Sequence, residues 1–288
     1  MKFFADRYGI TLPDAASRSM ILFTAIIKPF SVLSKNRELL KVMTVRLWLS
    51  RGKGGLFHLL WPLITPVILL TIYYFAFGII LGLRNQSSGS NYALELFCGM
   101  AVFNVFAETL NASAYSLTSQ SGLVKKAVFD LEVIPLSTVG CAAISGLIYQ
   151  AVIFCAAVFC NGVGPGIIKL PFLFLSFVLF CSGCALFVSS ISVFISDLVM
   201  LIPLLTQALF FLTPIIYPYE RVKATSLHAV IDLNPLTGFV CAIRGTLLKT
   251  ADAPTWSKTL ILFALGLGCY MLGYFFFAKT KKGFPDVL

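Results

Sequence analysis

The chain has 288 residues, of which 58% are hydrophobic and only 12% are charged, and its mean hydropathy is +0.91. This composition leaves too little polar material to cover a water-soluble globule, so lipid must cover much of the chain. The formal net charge is +10, but the basic residues lie beside apolar stretches and form no stripe alternating with aromatic residues. The charge therefore indicates membrane topology and argues against a nucleic-acid partner.

The first 55 residues are the least apolar part of the chain and hold 10 of its 22 Lys and Arg residues. They show no pattern of a cleaved signal peptide, and we predict a cytoplasmic segment. Between Leu39 and Leu49 apolar residues recur at near-helical spacing, with Lys41, Arg46 and Arg51 on the other side. This pattern predicts an amphipathic helix lying in the interface plane.

Six apolar stretches follow, and each is long enough to cross the hydrocarbon core, which takes about 20 residues. The predicted spans are residues 57–81, 92–117, 136–160, 170–194, 198–217 and 256–278. We therefore predict an all-α integral membrane protein, with the N-terminal segment at residues 1–55 and a six-helix transmembrane domain at residues 56–288.

The distribution of basic residues predicts the orientation of these spans. If the chain starts inside, 15 of the 22 Lys and Arg residues fall on the inner side, in the N-terminal segment, the connection at 119–132 and the tail after residue 278. Seven fall on the outer side. Because cytoplasmic loops carry the excess of positive charge, both termini are predicted in the cytoplasm.

The longest connection, at residues 218–255, is predicted outside. It is too long for a turn, and it contains apolar pieces, such as residues 236–243, that are too short to cross. One interpretation is a pair of short re-entrant helices in the outer leaflet, which require shelter by protein or by a water-filled cavity. The other interpretation is an ordinary extracytoplasmic loop.

Patterns of catalysis and metal binding are sparse. The two histidines, His58 and His228, lie on opposite predicted sides of the membrane, so a joint metal site is not expected. The glycine-rich run at residues 52–55 lacks the spacing and the Ser or Thr of a phosphate-binding loop. Cys181 and Cys184 form C-x-x-C inside a predicted span, which we interpret as packing. We expect no catalytic residue, cofactor or metal in this chain.

Glu108 is the acid predicted deepest within a span, where an ionisable group usually has a function or a partner. Asn104 and Asn111 lie four residues before and three after it, on the same helix face. This stripe can line a polar pathway, or it can satisfy its hydrogen bonds against neighbouring helices. The scarcity of other buried acids argues against an ion-coupled carrier, so a partner must supply the energy of any transport.

Aromatic residues crowd one half of the first predicted span and the exit of the fifth. They can stack on sugar rings along a translocation path, or they can form an interfacial belt. The candidate channel residues are Tyr73, Tyr74, Phe77, Asn104, Glu108, Asn111, Phe210 and Phe211.

Several short sequences occur in a fixed order along the chain. They are Leu60-Trp61-Pro62-Leu63, Tyr74-Phe75-Ala76-Phe77-Gly78, residues 104–110, Leu123-Val124-Lys125-Lys126, Ile134-Pro135-Leu136-Ser137, residues 214–218 and residues 233–237. From about residue 55 to residue 244 the chain resembles the permease subunits of ABC transporters that export O-antigen, capsule and teichoic-acid polysaccharides. It departs from that family where Ser196 precedes Asp197 in place of an Arg, and where Asp130-Leu131 stands in place of Pro-Arg.

This resemblance implies a homodimer in the bacterial inner membrane, bound to two copies of a separate nucleotide-binding ATPase that holds ATP and Mg. It implies a lipid-linked polysaccharide substrate and a channel between the two permeases, closed outside by the re-entrant helices. The implied outer-gate residues are Pro214, Tyr217, Tyr219, Asn234 and Arg244. The implied ATPase-contact residues are Arg46, Arg51, Lys125, Lys126, Asp130, Glu132 and Asp197.

Three alternatives remain at this point. A permease of the same fold can export a small lipid-like drug or toxin. An ion-coupled carrier working alone and a membrane-bound glycan-modifying enzyme belong to other classes.

Overall fold

A computed structural model describes residues 29, 31–51, 64, 67–68, 71–72, 74–80, 82, 92–125, 129–160, 165–217, 219, 228–248 and 253–287. Every regular element in these residues is helical, as the predicted all-α class requires. The helices are α1 (Arg37–Ser50), α2 (Tyr92–Ser116), α3 (Ser121–Lys125), α4 (Val133–Cys160), α5 (Leu170–Phe194), α6 (Leu198–Leu212), α7 (His228–Leu233), α8 (Pro235–Leu248), α9 (Trp256–Thr280) and α10 (Phe284–Val287). A π-helical segment (Tyr74–Ile80) and three short 3₁₀ turns (Thr118–Gln120, Pro165–Lys169 and Lys281–Gly283) complete the set.

Helices α2, α4, α5 and α9 are long and apolar enough to cross a membrane. They have 25 to 28 residues, and a crossing needs about 20. They coincide with the second, third, fourth and sixth predicted spans. Most of the first predicted span lies outside the described residues, so the count of six spans stays a prediction.

Helix α6 is shorter than the fifth span, which was predicted at residues 198–217. It has 15 residues and ends at Leu212, which corresponds to a length of about 22 Å. Thr213 is extended, with φ −102° and ψ 137°, because the ring of the following proline disfavours a helical residue before it. Residues 213–217 continue as bends. The helical part of this stretch is therefore shorter than the hydrocarbon core of about 30 Å.

Helix α2 forms the centre of the bundle and packs against α4, α5, α6 and α8. Its sequence is apolar around most of its circumference, which is typical of a helix surrounded by others. Phe103 meets Phe210 of α6 edge to face, with ring centroids 5.2 Å apart. Phe106 stacks on Phe180 of α5 at 5.9 Å. These contacts fill the space around α2 with side chains.

Helices α5 and α9 pack backbone against backbone. A Cβ atom added to Gly183 would overlap the carbonyl oxygen of Cys269, and one added to Gly273 would overlap the carbonyl oxygen of Gly183. Small residues let helix backbones approach closely in membranes, where packing drives association. The α5–α9 pair therefore depends on glycine at both positions.

Three separate parts of the chain meet at one end of the bundle, which we call the tail end. The three parts are residues 31–36, residues 118–125 together with 129–132, and residues 279–287. Asn36 Nδ2 donates a 2.7 Å hydrogen bond to Asp130 Oδ2, and Lys281 Nζ donates one of 2.7 Å to Glu132 Oε1. The parts that the sequence assigned to the inner side therefore lie together.

The opposite end, which we call the far end, gathers the connections that the sequence assigned to the outer side. Lys169 Nζ donates a 2.7 Å hydrogen bond to the carbonyl oxygen of Pro254. The hydroxyl group of Tyr92 donates one of 2.9 Å to the carbonyl oxygen of Ile216. The first bond joins the start of α5 to the start of α9, and the second joins the start of α2 to the stretch that follows α6.

Helix α1 runs beside α4 and contacts it at successive levels. Thr44 lies against Gly140 in the first third of α4, and Arg51 Nη1 donates a 3.1 Å hydrogen bond to Ser145 Oγ further along. Helix α1 therefore packs against the first half of α4. Its predicted course in the interface plane stays a prediction.

The short helix α8 lies between the long helices on the far-end side, whereas α7 packs against α8 and is mostly exposed. The 14 residues of α8 span about 21 Å, too little to cross. Phe239 of α8 is fully buried, with ring centroids 5.3 and 5.4 Å from those of Phe177 and Phe180 on α5. Protein therefore surrounds most of α8.

Candidate functional site

Glu108 of α2 forms an ion pair with Arg51, the residue that follows α1. Arg51 Nη2 donates to Glu108 Oε1, while Nη1 binds Ser145 of α4. The side chains of Arg51 and Glu108 keep 29% and 25% of their exposure, so water screens the pair only in part. One guanidinium therefore connects the end of α1 to α2 and α4, about two-thirds of the way along α2.

The two charges support each other. Burial lowers the pKa of Arg51, but the hydrogen bond and the negative charge of Glu108 raise it, and the balance lies above the ordinary value. The guanidinium therefore keeps its charge. An unpaired carboxylate in an apolar environment is costly, and Arg51 removes that cost for Glu108.

The neighbouring asparagines of the polar stripe have different surroundings. Asn104 and Asn111 are both half-buried, on the same face of α2 as Glu108. The Oδ1 atom of Asn111 is buried and has no hydrogen-bond partner within the described part of the chain. Within the stripe, the charge of Glu108 is therefore paired with Arg51 at the end of α1. The Oδ1 atom of Asn111 is left without a partner among the described residues.

The aromatic channel candidates that the structure describes have different surroundings. Tyr74 lies beside Tyr92 at 6.4 Å between ring centroids, whereas Phe210 belongs to the packed core around α2. Phe211 is largely exposed. Tyr73 and the side chain of Phe77 lie outside the described residues.

Arg244 of α8 braces the bends that follow α6. Its side chain is 3% exposed, and Nη2 donates to the carbonyl oxygens of Pro214 at 2.9 Å and Ile215 at 3.2 Å. Gly99 of α2 makes room for the guanidinium, because a Cβ atom there would collide with Nη2. The arginine therefore satisfies backbone acceptors of the non-helical bends that follow α6.

Asn234 makes a second connection to the same bends. Its Nδ2 donates a 3.0 Å hydrogen bond to Thr213 Oγ1, and its Oδ1 accepts one of 3.0 Å from the backbone of Leu236 at the start of α8. The side chain thus links the end of α6 to the start of α8.

The two tyrosines predicted at the gate bind within the same region. The hydroxyl group of Tyr217 donates to the carbonyl oxygen of Phe211 at 2.9 Å, and that of Tyr219 donates to Asp232 Oδ1 at 2.6 Å. The five predicted gate residues therefore all lie in or beside the bends after α6 and the short helices that follow.

The predicted ATPase-contact residues fall into two groups. Arg46, Lys125 and Asp197 are exposed, as a contact with a partner requires. Glu132 is fully buried and holds Lys281. Its side chain therefore has no surface to offer a partner directly.

The remaining contact candidates have neighbours within the chain. Asp130 is half-buried and bonded to Asn36, and Arg51 points to Glu108. Lys126 lies outside the described residues.

Sequence reasoning missed the contacts of Lys281, Phe284 and Ser145. Lys281 and Phe284 follow the last span, where a short basic tail is ordinary, and no motif marks them. Ser145 stands among apolar residues of α4, and its contact with Arg51 joins residues far apart in the sequence. Only the helical periodicity of α4 could have directed attention to it.

Removing Arg51 should destabilise the helix bundle through Glu108. Arg51→Leu leaves the carboxylate without its cation, and we expect a loss of about 1 to 3 kcal/mol, below the range for fully buried pairs because a quarter of each side chain is exposed. Arg51→Leu combined with Glu108→Leu should recover part of the loss. Arg46→Leu, which removes an exposed arginine of α1, serves as the matched control. Thermal melting in detergent checks this, and a double variant no more stable than Arg51→Leu would refute the pairing.

The model of the ABC-2 type transporter family matches residues 38–248 of the chain. Two relatives, both named O-antigen export system permease protein RfbA and both from Klebsiella pneumoniae, are 28% and 26% identical to it over 254 residues. Each similarity covers 87% of this chain and 95% of the relative. The family match contains most of α1 and all of α2 to α8.

Proposed function

The chain belongs to the ABC-2 type transporter family, and from this premise we propose that it is the permease subunit of an ABC transporter that exports a lipid-linked polysaccharide across the bacterial inner membrane. The observation that carries the proposal is the similarity to two O-antigen export permeases over 95% of their length. The four apolar helices long enough to cross a membrane agree with a permease.

The energy for export would come from a separate nucleotide-binding ATPase in two copies. The sequence has no G-x-x-x-x-G-K-[ST] loop, so this chain does not bind ATP and Mg by that route. The partner would dock at the tail end, where Lys125 and Asp197 are exposed. Arg46 of α1 is exposed as well and extends the docking surface.

Both termini would lie in the cytoplasm, with six crossings between them. The contacts that join residues 31–36, 118–125, 129–132 and 279–287 at the tail end support an even number of crossings. The excess of Lys and Arg in these parts supports the cytoplasmic side.

The helices α7 and α8 would be re-entrant and would close the outer side of the pathway. Their short lengths and the burial of α8 between α2 and α5 support this arrangement. Re-entrant backbone is tolerated at membrane depth only where protein satisfies its polar groups. Arg244 and Asn234 supply such hydrogen bonds.

The pathway itself would lie between two copies of the permease. Side chains such as Phe103, Phe106 and Phe180 fill the space around α2, which leaves no room there for a polymer. The half-buried polar face of α2, with Asn104 and Asn111, would then contribute to the lining between the copies.

ATP binding would draw the two ATPases together and press them on the tail end. Helix α1 would carry part of this displacement, because Arg51 at its end holds Glu108 of α2. The segment at 118–132 would carry the rest, because it joins α2 directly to α4. Both routes lead to the helix that bears the polar stripe.

Copurification followed by an ATPase assay tests the proposal. The permease, coexpressed with the ATPase encoded beside it, should form a complex whose ATP hydrolysis rises with a lipid-linked polysaccharide fraction. The matched control is the same complex with its P-loop lysine replaced. Stimulation by lipid-like drugs and not by the polysaccharide fraction would indicate an exporter of small lipid-like molecules. Failure to bind any ATPase would contradict the proposal.

A further inference from the structure

We propose that the C-terminal tail, residues Lys281 to Val287, is a positioning element that holds the ATPase-docking segment in its binding conformation. The docking segment is defined as residues 118–125 and 129–132. The inference rests on the proposed function for the identity of the partner. The tail lies outside the residues matched by the family model, 38–248, so family membership assigns it no role.

The first contact joins Lys281 to a buried acid of the docking segment. The Glu132 side chain has no exposed surface, and its Oε1 accepts a 2.7 Å hydrogen bond from Lys281 Nζ. Its other oxygen has no partner among the described residues. A buried carboxylate requires a compensating charge, and the ammonium group of Lys281 supplies it.

The second contact anchors the tail in an apolar cluster. Phe284 is fully buried, with ring centroids 5.4 Å from Phe277 of α9 and 5.9 Å from Phe194 of α5. Leu117 and Val124, which flank and belong to the docking segment, are buried in the same cluster. Helix α10 also contacts α3, so the tail lies between the long helices and the docking segment.

The other acid of the docking segment is held from the opposite terminus. Asp130 Oδ2 accepts a 2.7 Å hydrogen bond from Asn36 Nδ2 and lies 4.0 Å from Lys35 Nζ. Asp130 and Glu132, two residues apart, are therefore bound by the residues before α1 and by the tail respectively. The aspartate of the Asp130-Leu131 departure therefore has a partner within the chain.

These internal contacts leave a defined outer surface for the partner. Leu123 and Lys125 of α3 are exposed, while Val124 between them points into the cluster. The tail thus fixes the inner side of α3 and thereby the direction in which its exposed side chains point. Lys281 and Phe284 act through the docking segment and do not themselves reach the partner.

Binding of the purified ATPase to the permease in nanodiscs tests the inference. Lys281→Met should weaken binding about tenfold, the loss that a charge-assisted hydrogen bond typically produces. Lys282→Met removes a neighbouring exposed lysine and should leave affinity unchanged, and Lys281→Arg should restore it. Unaltered binding by Lys281→Met would overturn the inference.

Hydrogen exchange on the permease alone separates this inference from the proposed function. Lys281→Met should accelerate exchange in residues 118–125 and leave α5 and α9 protected. Unchanged protection of the docking segment would overturn the inference, as would loss of protection throughout the bundle, because the tail would then hold the whole fold. If the wild-type permease binds no ATPase, the proposed function fails while this exchange result still decides the role of the tail.

Discussion

Gly183→Leu should prevent recovery of a folded, monodisperse permease. The side chain would have to occupy the space of the α9 backbone at Cys269, so α5 and α9 would separate along their contact. Overpacking of an ordinary core costs about 1 to 3 kcal/mol, and a collision with rigid backbone lies above that range. Fluorescence-detected size exclusion of the detergent-solubilised protein measures the outcome.

The matched control is Gly268→Leu on α9. A Cβ atom at Gly268 meets nothing within 4 Å, so leucine there should face lipid and leave the elution profile unchanged. Gly273→Leu should reproduce the failure of Gly183→Leu from the partner helix. A monodisperse Gly183→Leu protein with wild-type melting temperature would show that the two helices are not packed as described.

Arg244→Met should release the bends after α6 and strongly destabilise the far end. Two buried carbonyl oxygens, those of Pro214 and Ile215, lose their donor, and each unsatisfied buried group costs about 1 to 3 kcal/mol. Arg244→Lys should rescue little, because one ammonium group does not reproduce the geometry of the guanidinium. Thermal melting and export of polysaccharide to the cell surface measure the effect.

A second substitution reaches the same place from α2. Gly99→Leu displaces the guanidinium of Arg244 and should give the same defect, whereas Lys258→Met, which removes an exposed cation near the start of α9, should be neutral. Wild-type melting of both Arg244→Met and Gly99→Leu would refute the bracing role.

The long apolar helices were predictable because hydropathy is a local property of the sequence. Helices α2, α4, α5 and α9 need only about 20 apolar residues each, and these can be counted without knowledge of the fold. The end of α6 was also encoded locally, since Thr213 precedes Pro214, but the apolar residues beyond it extended the predicted span to residue 217.

The pairing of charges was not predictable, because it joins residues far apart in sequence. Arg51 and Glu108 are 57 positions apart, and Glu132 and Lys281 are 149 apart. No periodicity connects such residues, so Arg51 and Glu132 were assigned to the surface that faces the ATPase. Glu132 is instead buried against the tail, which only the tertiary packing reveals.

The residues predicted at the gate came from resemblance and not from pattern. Pro214 and Asn234 lie in sequences that resemble those of polysaccharide-export permeases, and both contact the region where α6, α7 and α8 meet. The close approach at Gly183 carried a weak local signal, since small residues mark helix contacts in membranes. That signal does not identify which helix approaches.

Transport in proteoliposomes tests directly whether the permease exports polysaccharide with energy from a partner ATPase. Labelled lipid-linked polysaccharide is supplied on the ATPase-facing side, and its appearance on the other side is followed with an impermeant lectin. We expect transport when the permease, the partner ATPase and hydrolysable ATP are all present, and none when any of them is omitted. Transport by the permease alone, or transport driven by an ion gradient without ATP, would contradict this expectation.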